Sequence, residues 1–415
     1  RDAVTPDRES AVPKFQALDR LCMIGDSITH GGIYHSALYL FYATRFPDRR
    51  FEIFNCGISG DSAGGAVGRF DWDIAPARPT LAAIMLGMND IWRGLYGANQ
   101  TGPKIEAQRQ EALDQYAANM TKLADILKPL DCRLIFITPS IYDQTVRIPG
   151  ENLFGCNDAL GRCGDILRTM APKYGAAVVD FHGPMTGLNS REQQNDPAFT
   201  LIGGDRVHPD ELGHYYMAYL FLKAQQVSPW VAKMTVDAKS GRVVEDVNCK
   251  IGNISTLPAG GVAFTALEGA LPFPIPPGAE RIVTLTTFEK DVNQEVLGVR
   301  NLAAGNYEIA IDDVPVATAS ADELAQGVNL AANSKTPMYM RALEIQKLEH
   351  ARRIITAENL RVFAQWRQWV GGNVKDHNDF EAMKAEILKY LETNSDAYFQ
   401  SVANTYITMK SKEPE

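Results

Sequence analysis

Met23-Ile24-Gly25-Asp26-Ser27-Ile28-Thr29-His30-Gly31-Gly32 is the stretch from which the fold is read. The apolar run Leu21 to Ile24 ends abruptly at Gly25-Asp26-Ser27, and a helix-like pattern starts at Ile33. A strand that stops at a glycine and hands over to a helix begins a βα unit, and open α/β sheets bind their ligands at the carboxyl ends of such strands. Ser27 is therefore a candidate nucleophile. Gly, Asp and Ser are also ordinary turn formers, and this tripeptide arises by chance in roughly one chain in ten of this size. The rest of the chain has to decide.

Working outward, short apolar runs alternate with helical patterns. Strands are expected near Arg20–Ile24, Phe51–Asn55, Leu81–Leu86, Arg133–Thr138 and Ala177–Val179. Helices are expected near Ile33–Phe46, Ser62–Phe70, Glu106–Leu127 and Asp158–Tyr174, with a last one begun by Pro209. Near-continuous apolar strands such as Ala82-Ala83-Ile84-Met85-Leu86 belong to a parallel sheet covered on both faces. The expected fold class is α/β, a three-layer α/β/α sandwich on a five-stranded parallel sheet. After about Ser228 the pattern turns to strands and turns, with Val243-Val244, Ile282–Leu285 and Tyr307–Ile311 as strands and Asp312-Asp313 as a hairpin tip. Prolines 272, 274, 276 and 277 mark an extended segment. From Pro337 helix returns: Val362, Trp366 and Trp369 share a face, Gly371-Gly372 ends the run, and Phe380, Met383 and Ile387 begin another. The division expected is an α/β domain over 1–228, a small β-rich domain over 229–335 and a C-terminal helical segment over 336–415.

At 415 residues, 45% hydrophobic and 22% charged, the composition is that of a globular protein. A net charge of −9 leaves no basic stripe for a nucleic acid, and no apolar run has the length of a membrane span. The chain begins Arg1-Asp2-Ala3 without an initiator Met, as expected of a mature or trimmed form. Of six cysteines, Cys22, Cys56 and Cys132 lie in or beside strands. Cys156 and Cys163, seven apart on one helix, stand roughly 10 Å from each other, too far to bridge. Buried thiols are expected.

Three further segments carry chemistry. Ile58-Ser59-Gly60-Asp61 follows the second strand, and Gly60 has no side chain to keep its N–H from a reacting oxygen. Gly87-Met88-Asn89-Asp90 follows the third, and the Asn89 amide is a neutral donor for an oxyanion. In Asp205-Arg206-Val207-His208-Pro209 the three-residue spacing lets the Asp205 carboxylate fold back on the His208 ring and fix its tautomer. Each segment alone also reads as a turn or cap. A metal set of Asp205, His208, Asp210 and His214 is disfavoured, since the two histidines are six apart across a proline and share no helical face. No metal site is expected.

Together these four segments resemble the blocks of the GDSL or SGNH hydrolase superfamily, in order and over about the first 225 residues. Ile28 replaces the Leu usual after the serine, and the Gly-x-Ser-x-Gly elbow of α/β-hydrolases is absent. The resemblance implies a flavodoxin-like sheet and a serine esterase without metal or cofactor. Ser27 is then the nucleophile, His208 the general base and acid, and Asp205 its orienting partner. Ser27, Gly60 and Asn89 form the oxyanion hole. The region from Leu302 to Leu330 looks like a part appended in some bacterial members, many of them extracytoplasmic and associated with polysaccharide breakdown. Trp92, Arg93, Tyr96 and Tyr142 are candidates for substrate contact, and such a mixture suits a sugar ring better than a long acyl chain. The expected function is removal of acetyl groups from a carbohydrate, with a small-molecule or polysaccharide ester as partner. The alternatives are a short-chain carboxylesterase or lysophospholipase/thioesterase-like enzyme and, in another class, a weakly active homologue serving as a glycan-binding module.

Overall fold

The computed structural model describes residues 12–258 and 260–370, together with 382, 384, 385, 388 and 389. It divides into two compact units. One comprises 19–35, 51–210 and the chain from 352 onward; the other comprises 36–50 and 211–351 with the segment ahead of residue 19.

The first unit holds a parallel sheet of β1 (Arg20–Gly25), β2 (Glu52–Gly57), β3 (Leu81–Met85), β4 (Arg133–Ile137) and β5 (Ala177–Val179) in the order 2-1-3-4-5. All five expected strands are present. Every residue of β3 is buried, as a central strand covered on both faces must be. Along the chain this sheet is accompanied by α1 (Ser27–His30), α3 (Ala63–Gly68), α4 (Pro103–Leu127), α5 (Cys156–Tyr174) and α6 (His182–Glu192), and this unit also contains the start of α2 (Ile33–Arg45). The residues of α2 from Ser36 onward belong to the second unit. The register sets Gly25 level with Gly57 on β2 and with Met85 on β3. The segments after these three strands therefore emerge along one edge of the sheet. Pro209 does not open the next helix: it bridges Ile202, and α7 starts two residues later, spanning Glu211–Ala224.

The second unit includes α7 and a four-stranded sheet. Its strands are β6 (Trp230–Asp237), β7 (Arg242–Val247), β10 (Gln294–Arg300) and β13 (Val328–Asn329), ordered 13-10-6-7. Two hairpins accompany it: β8 (Cys249–Thr256) with β9 (Val262–Glu268), and β11 (Asn306–Ile311) with β12 (Val314–Ser320). Asp312 and Asp313, at φ 50° and 64°, form the expected tip between β11 and β12. The run Ile282–Leu285 is a single helical turn, α8, and not a strand. Thr286 N–H and Oγ1 both donate to the Ile282 carbonyl, and only Ile282 of the run is buried. Four apolar residues in a row do not distinguish the two forms. The unit continues through α9 (Phe288–Val292), α10 (Ala321–Gln326) and α11 (Pro337–Ile354), which runs past its limit at residue 351. Its aromatic core includes Phe15, Tyr42, Phe41, Phe221, Phe273 and Phe288.

After α11 the first unit resumes, a π turn over Ile355–Leu360 leading to α12 (Arg361–Val370), which carries Val362 and Trp366. The side chain of Trp369 and the positions Gly371, Gly372, Phe380, Met383 and Ile387 lie outside the described residues. All six cysteines are free, five of them buried. Among the described residues, no helix is long and apolar enough to cross a membrane.

Gly57 shows how tightly the strand ends are packed. A Cβ there would lie 2.2 Å from the His30 nitrogen and 2.6 Å from the Thr29 carbonyl carbon, both main-chain atoms without freedom to move aside. Gly57→Ala is expected to lower the unfolding free energy by about 3 kcal/mol or more, measured by urea denaturation.

Candidate active site

Gly25 ends β1 where no side chain fits: a Cβ would lie 2.1 Å from Thr29 Oγ1 and 2.8 Å from the Met85 carbonyl oxygen. Asp26 then caps α1, its Oδ1 accepting the Ile28 N–H at 3.0 Å. That makes Ser27 the first residue of a helical turn, where the backbone N–H has no partner within the helix. Its Oγ lies 2.7 Å from His208 Nε2. His208 Nδ1 lies 2.5 Å from Asp205 Oδ2, while Asp205 Oδ1 accepts the N–H groups of Val207 and His208, each at 2.9 Å. Partial burial tends to raise the Asp205 pKa, but the bonds from His208 and Val207 outweigh it and hold the carboxyl below its ordinary range. An ionised Asp205 keeps the ring proton on Nδ1, which leaves the Nε2 lone pair facing the Ser27 hydroxyl.

The loop bearing Asp205 and His208 is fixed by Arg206, which is buried at φ 64°. Its guanidinium donates to the carbonyls of Asp143 (2.9 Å), Val146 (3.0 Å) and Ile148 (3.0 Å). Gly203 N–H closes the loop on the His208 carbonyl at 2.7 Å.

The other two blocks meet at the same edge. Gly60 adopts φ 78°, the left-handed region. The loop before it is pinned by His30, whose Nδ1 accepts the Ser59 N–H at 3.2 Å while its Nε2 lies 2.9 Å from the Ala357 carbonyl oxygen. Burial lowers the His30 pKa to about 4, so the ring is neutral and serves both bonds. Asn89 Nδ2 donates to the Asp61 carbonyl at 2.8 Å, which leaves one amide hydrogen uncommitted. Arg93 NH1 donates to Asn89 Oδ1 at 3.1 Å and to the Met88 carbonyl at 2.8 Å.

Behind these loops lie buried carboxyls. Burial raises Asp26 and Asp90 to about 7, and it raises Asp61 even beside the fully buried Arg69. Arg69 Nε donates to Asp61 at 2.7 Å, its NH1 pairs with Asp73, and its NH2 donates to the Cys56 carbonyl at 2.8 Å. Arg361 of α12 forks onto Asp73 at 2.7 and 2.9 Å and donates to the Gly57 carbonyl at 2.9 Å. Neither arginine has a recognisable sequence signal: Arg69 lies in the expected helix Ser62–Phe70 and Arg361 begins α12, and nothing in either stretch marks the side chain as buried. Arg206 stood inside a quoted motif, but nothing there marked its packing role.

The four candidate contact residues separate. Trp92 is exposed, and with Arg93, Asn89, Gly94 and Leu95 it lines a hollow of about 340 Å³. Tyr96 is buried beneath Arg109, with 4.5 Å between guanidinium carbon and ring centre. Tyr142 is buried too, its hydroxyl accepting the Leu153 N–H at 2.9 Å. Both tyrosines pack the loops from within. Among the described residues, no group of three or more His, Cys, Asp or Glu side chains is placed to hold a metal ion.

A parallel sheet of order 2-1-3-4-5 thus carries the Ser, Gly and Asn blocks after successive strands and a His-Asp pair in reach of the serine, an arrangement of the α/β class. The model of the GDSL-like lipase/acylhydrolase family matches residues 23–216, and the chain belongs to that family. The structure of a gut microbial diltiazem-metabolizing enzyme superposes with a TM-score of 0.89 at 32% identity, covering 97% of this chain and 92% of that one. An acetylxylan esterase of Geobacillus stearothermophilus is 26% identical over 220 residues, 49% of this chain and 93% of its own length.

The raised Asp90 pKa has a measurable consequence. Its folded value of about 7 exceeds the ordinary 3.8, so the native state binds the extra proton and this group's contribution to stability is lost as pH rises through 7. Asn preserves the acceptor for Ala63 N–H without the charge. The unfolding free energy of the wild type minus that of Asp90→Asn should therefore fall between pH 4 and 7, by up to roughly 1.4 kcal/mol per pH unit. Chemical denaturation at several pH values checks this.

Proposed function

We propose that Ser27, His208 and Asp205 hydrolyse short-chain esters through a covalent serine ester, with carbohydrate acetates as the substrate. The observation that carries this reading is the unbroken relay from Ser27 Oγ through His208 to Asp205, at 2.7 and 2.5 Å. Ser27 Oγ attacks the ester carbonyl as its proton passes to His208 Nε2. Asp205 balances the imidazolium. The tetrahedral oxyanion is held by the N–H groups of Ser27 and Gly60 and the free hydrogen of the Asn89 amide. Collapse expels the alcohol, which takes the proton from His208, and water then repeats the sequence on the acyl-serine.

Two things support a sugar acetate: the acetylxylan esterase relative and the indole of Trp92, exposed beside Asn89 in the hollow. The strands and hairpins between Trp230 and Asn329, read as a part added to the hydrolase segment, accord with polysaccharide work outside the cytoplasm. A second reading, a carboxylesterase for small esters that are not sugars, is favoured by the near full-length likeness to the diltiazem-metabolizing enzyme.

With p-nitrophenyl acetate, Ser27→Ala and His208→Ala should each lower kcat/KM by about 10³-fold or more. Asn89→Ala should lower turnover by about 10²–10³-fold. Wild-type rates in folded Ser27→Ala or His208→Ala protein would overturn the mechanism. Initial rates on acetylated xylo-oligosaccharides and on diltiazem decide between the two substrate readings.

A further inference from the structure

We propose that the hollow beside Asn89 selects substrates bearing a carboxylate, so that the preferred ester is an O-acetylated sugar acid. This rests on the esterase reading above and adds the charge of the substrate.

Arg93 holds a guanidinium edge that is unused among the described residues. Its NH1 is used by the Met88 carbonyl and Asn89 Oδ1. Its Nε and NH2 make no hydrogen bond, and the guanidinium joins no ion pair, among the described residues. Arg69 and Arg361 of the same unit, by contrast, are paired with carboxylates. The Nε–NH2 edge is the one that meets a carboxylate side-on through two parallel N–H···O bonds. Arg93 is half-buried and lines the hollow, where such a bond is screened less than on an open surface.

Trp92 supplies an independent observation. It lies at φ 51° and ψ 63°, a left-handed conformation that is a genuine outlier for so bulky a residue. Glycine would take that turn without strain, so the indole contributes something besides turn geometry. It is 38% exposed on the rim of the same hollow. An indole offers a flat apolar face for the C–H side of a sugar ring.

Asn89 Oδ1 accepts from Arg93, and the nitrogen of that same amide is the proposed oxyanion donor. One amide, one hydrogen bond and the guanidinium itself thus separate the anion-binding edge from the reacting carbonyl, a span within the size of a sugar ring or two. The carboxylate and the acetate must therefore sit on the same ring or on adjacent ones.

The test compares O-acetylated methyl glucuronoside with O-acetylated methyl glucoside, which differ in the carboxylate. In the wild type, kcat/KM for the acid should exceed that for the neutral sugar by about tenfold, the worth of one charge-assisted pair. Arg93→Gln should bring the ratio near one, and Arg93→Lys should restore part of it. Trp92→Ala should weaken both sugars alike. Because Arg93 also touches Asn89, the ratio is the readout and not the absolute rate. Calorimetric binding of both sugars to Ser27→Ala protein should show the same preference without turnover. Equal treatment of the two sugars, or a preference that survives Arg93→Gln, overturns the inference. Ser27-dependent hydrolysis of p-nitrophenyl acetate with no acid preference would leave the esterase reading intact while removing this one. Arg93-dependent binding of the acid without hydrolysis of any ester would do the reverse.

Discussion

A guanidinium without solvent exposure holds the first unit's working edge together. Arg69 receives the carboxylates of Asp61 and Asp73 and donates to the main chain at the end of β2. Desolvating an arginine is worthwhile only where nearly every N–H finds an acceptor and charges of opposite sign lie in contact. Two acids and a strand-end carbonyl meet that condition. Arg361 then forks onto the second of these acids. The network fixes the place where β2 releases the chain toward Gly60. Through the register of β1 against β2, it also fixes the level at which Ser27 emerges.

The neutral histidine beside this network shows the same economy. His30 joins the Ser59 N–H to the Ala357 carbonyl, a pairing that needs one lone pair and one N–H. Only the uncharged ring supplies both, and burial keeps it uncharged down to about pH 4. The polar edge is thus assembled from groups whose charge state is set by burial rather than by solvent. The charged groups are matched to opposite charges, and the neutral ones to main-chain atoms.

Much of this was legible in the sequence, and for identifiable reasons. Gly25 and Gly57 mark strand ends because backbone passes within 3 Å of where a Cβ would stand, and that requirement leaves glycine as a visible signal. Asp205 and His208 are three residues apart, so their contact is local. Arg361 lies 304 residues from Gly57, and no local pattern marks a partner at that separation. Tyr96 and Tyr142 look like Trp92 in sequence, since aromatic residues in polar loops carry the same letters whether they face in or out. Only packing separates them. Ile282–Leu285 misled for a related reason, being too short for either period to declare itself.

The placement of Arg361 also bears on when the protein matures during translation. Asp73 is made 288 residues before the guanidinium that completes its pairing. At about 5–20 residues per second, roughly 15–60 s pass before that partner leaves the ribosome. Throughout that interval Asp73 has Arg69 as a partner but not yet Arg361. α12 therefore acts as a keystone, and the edge that carries Ser27 is finished only once Arg361 has been made.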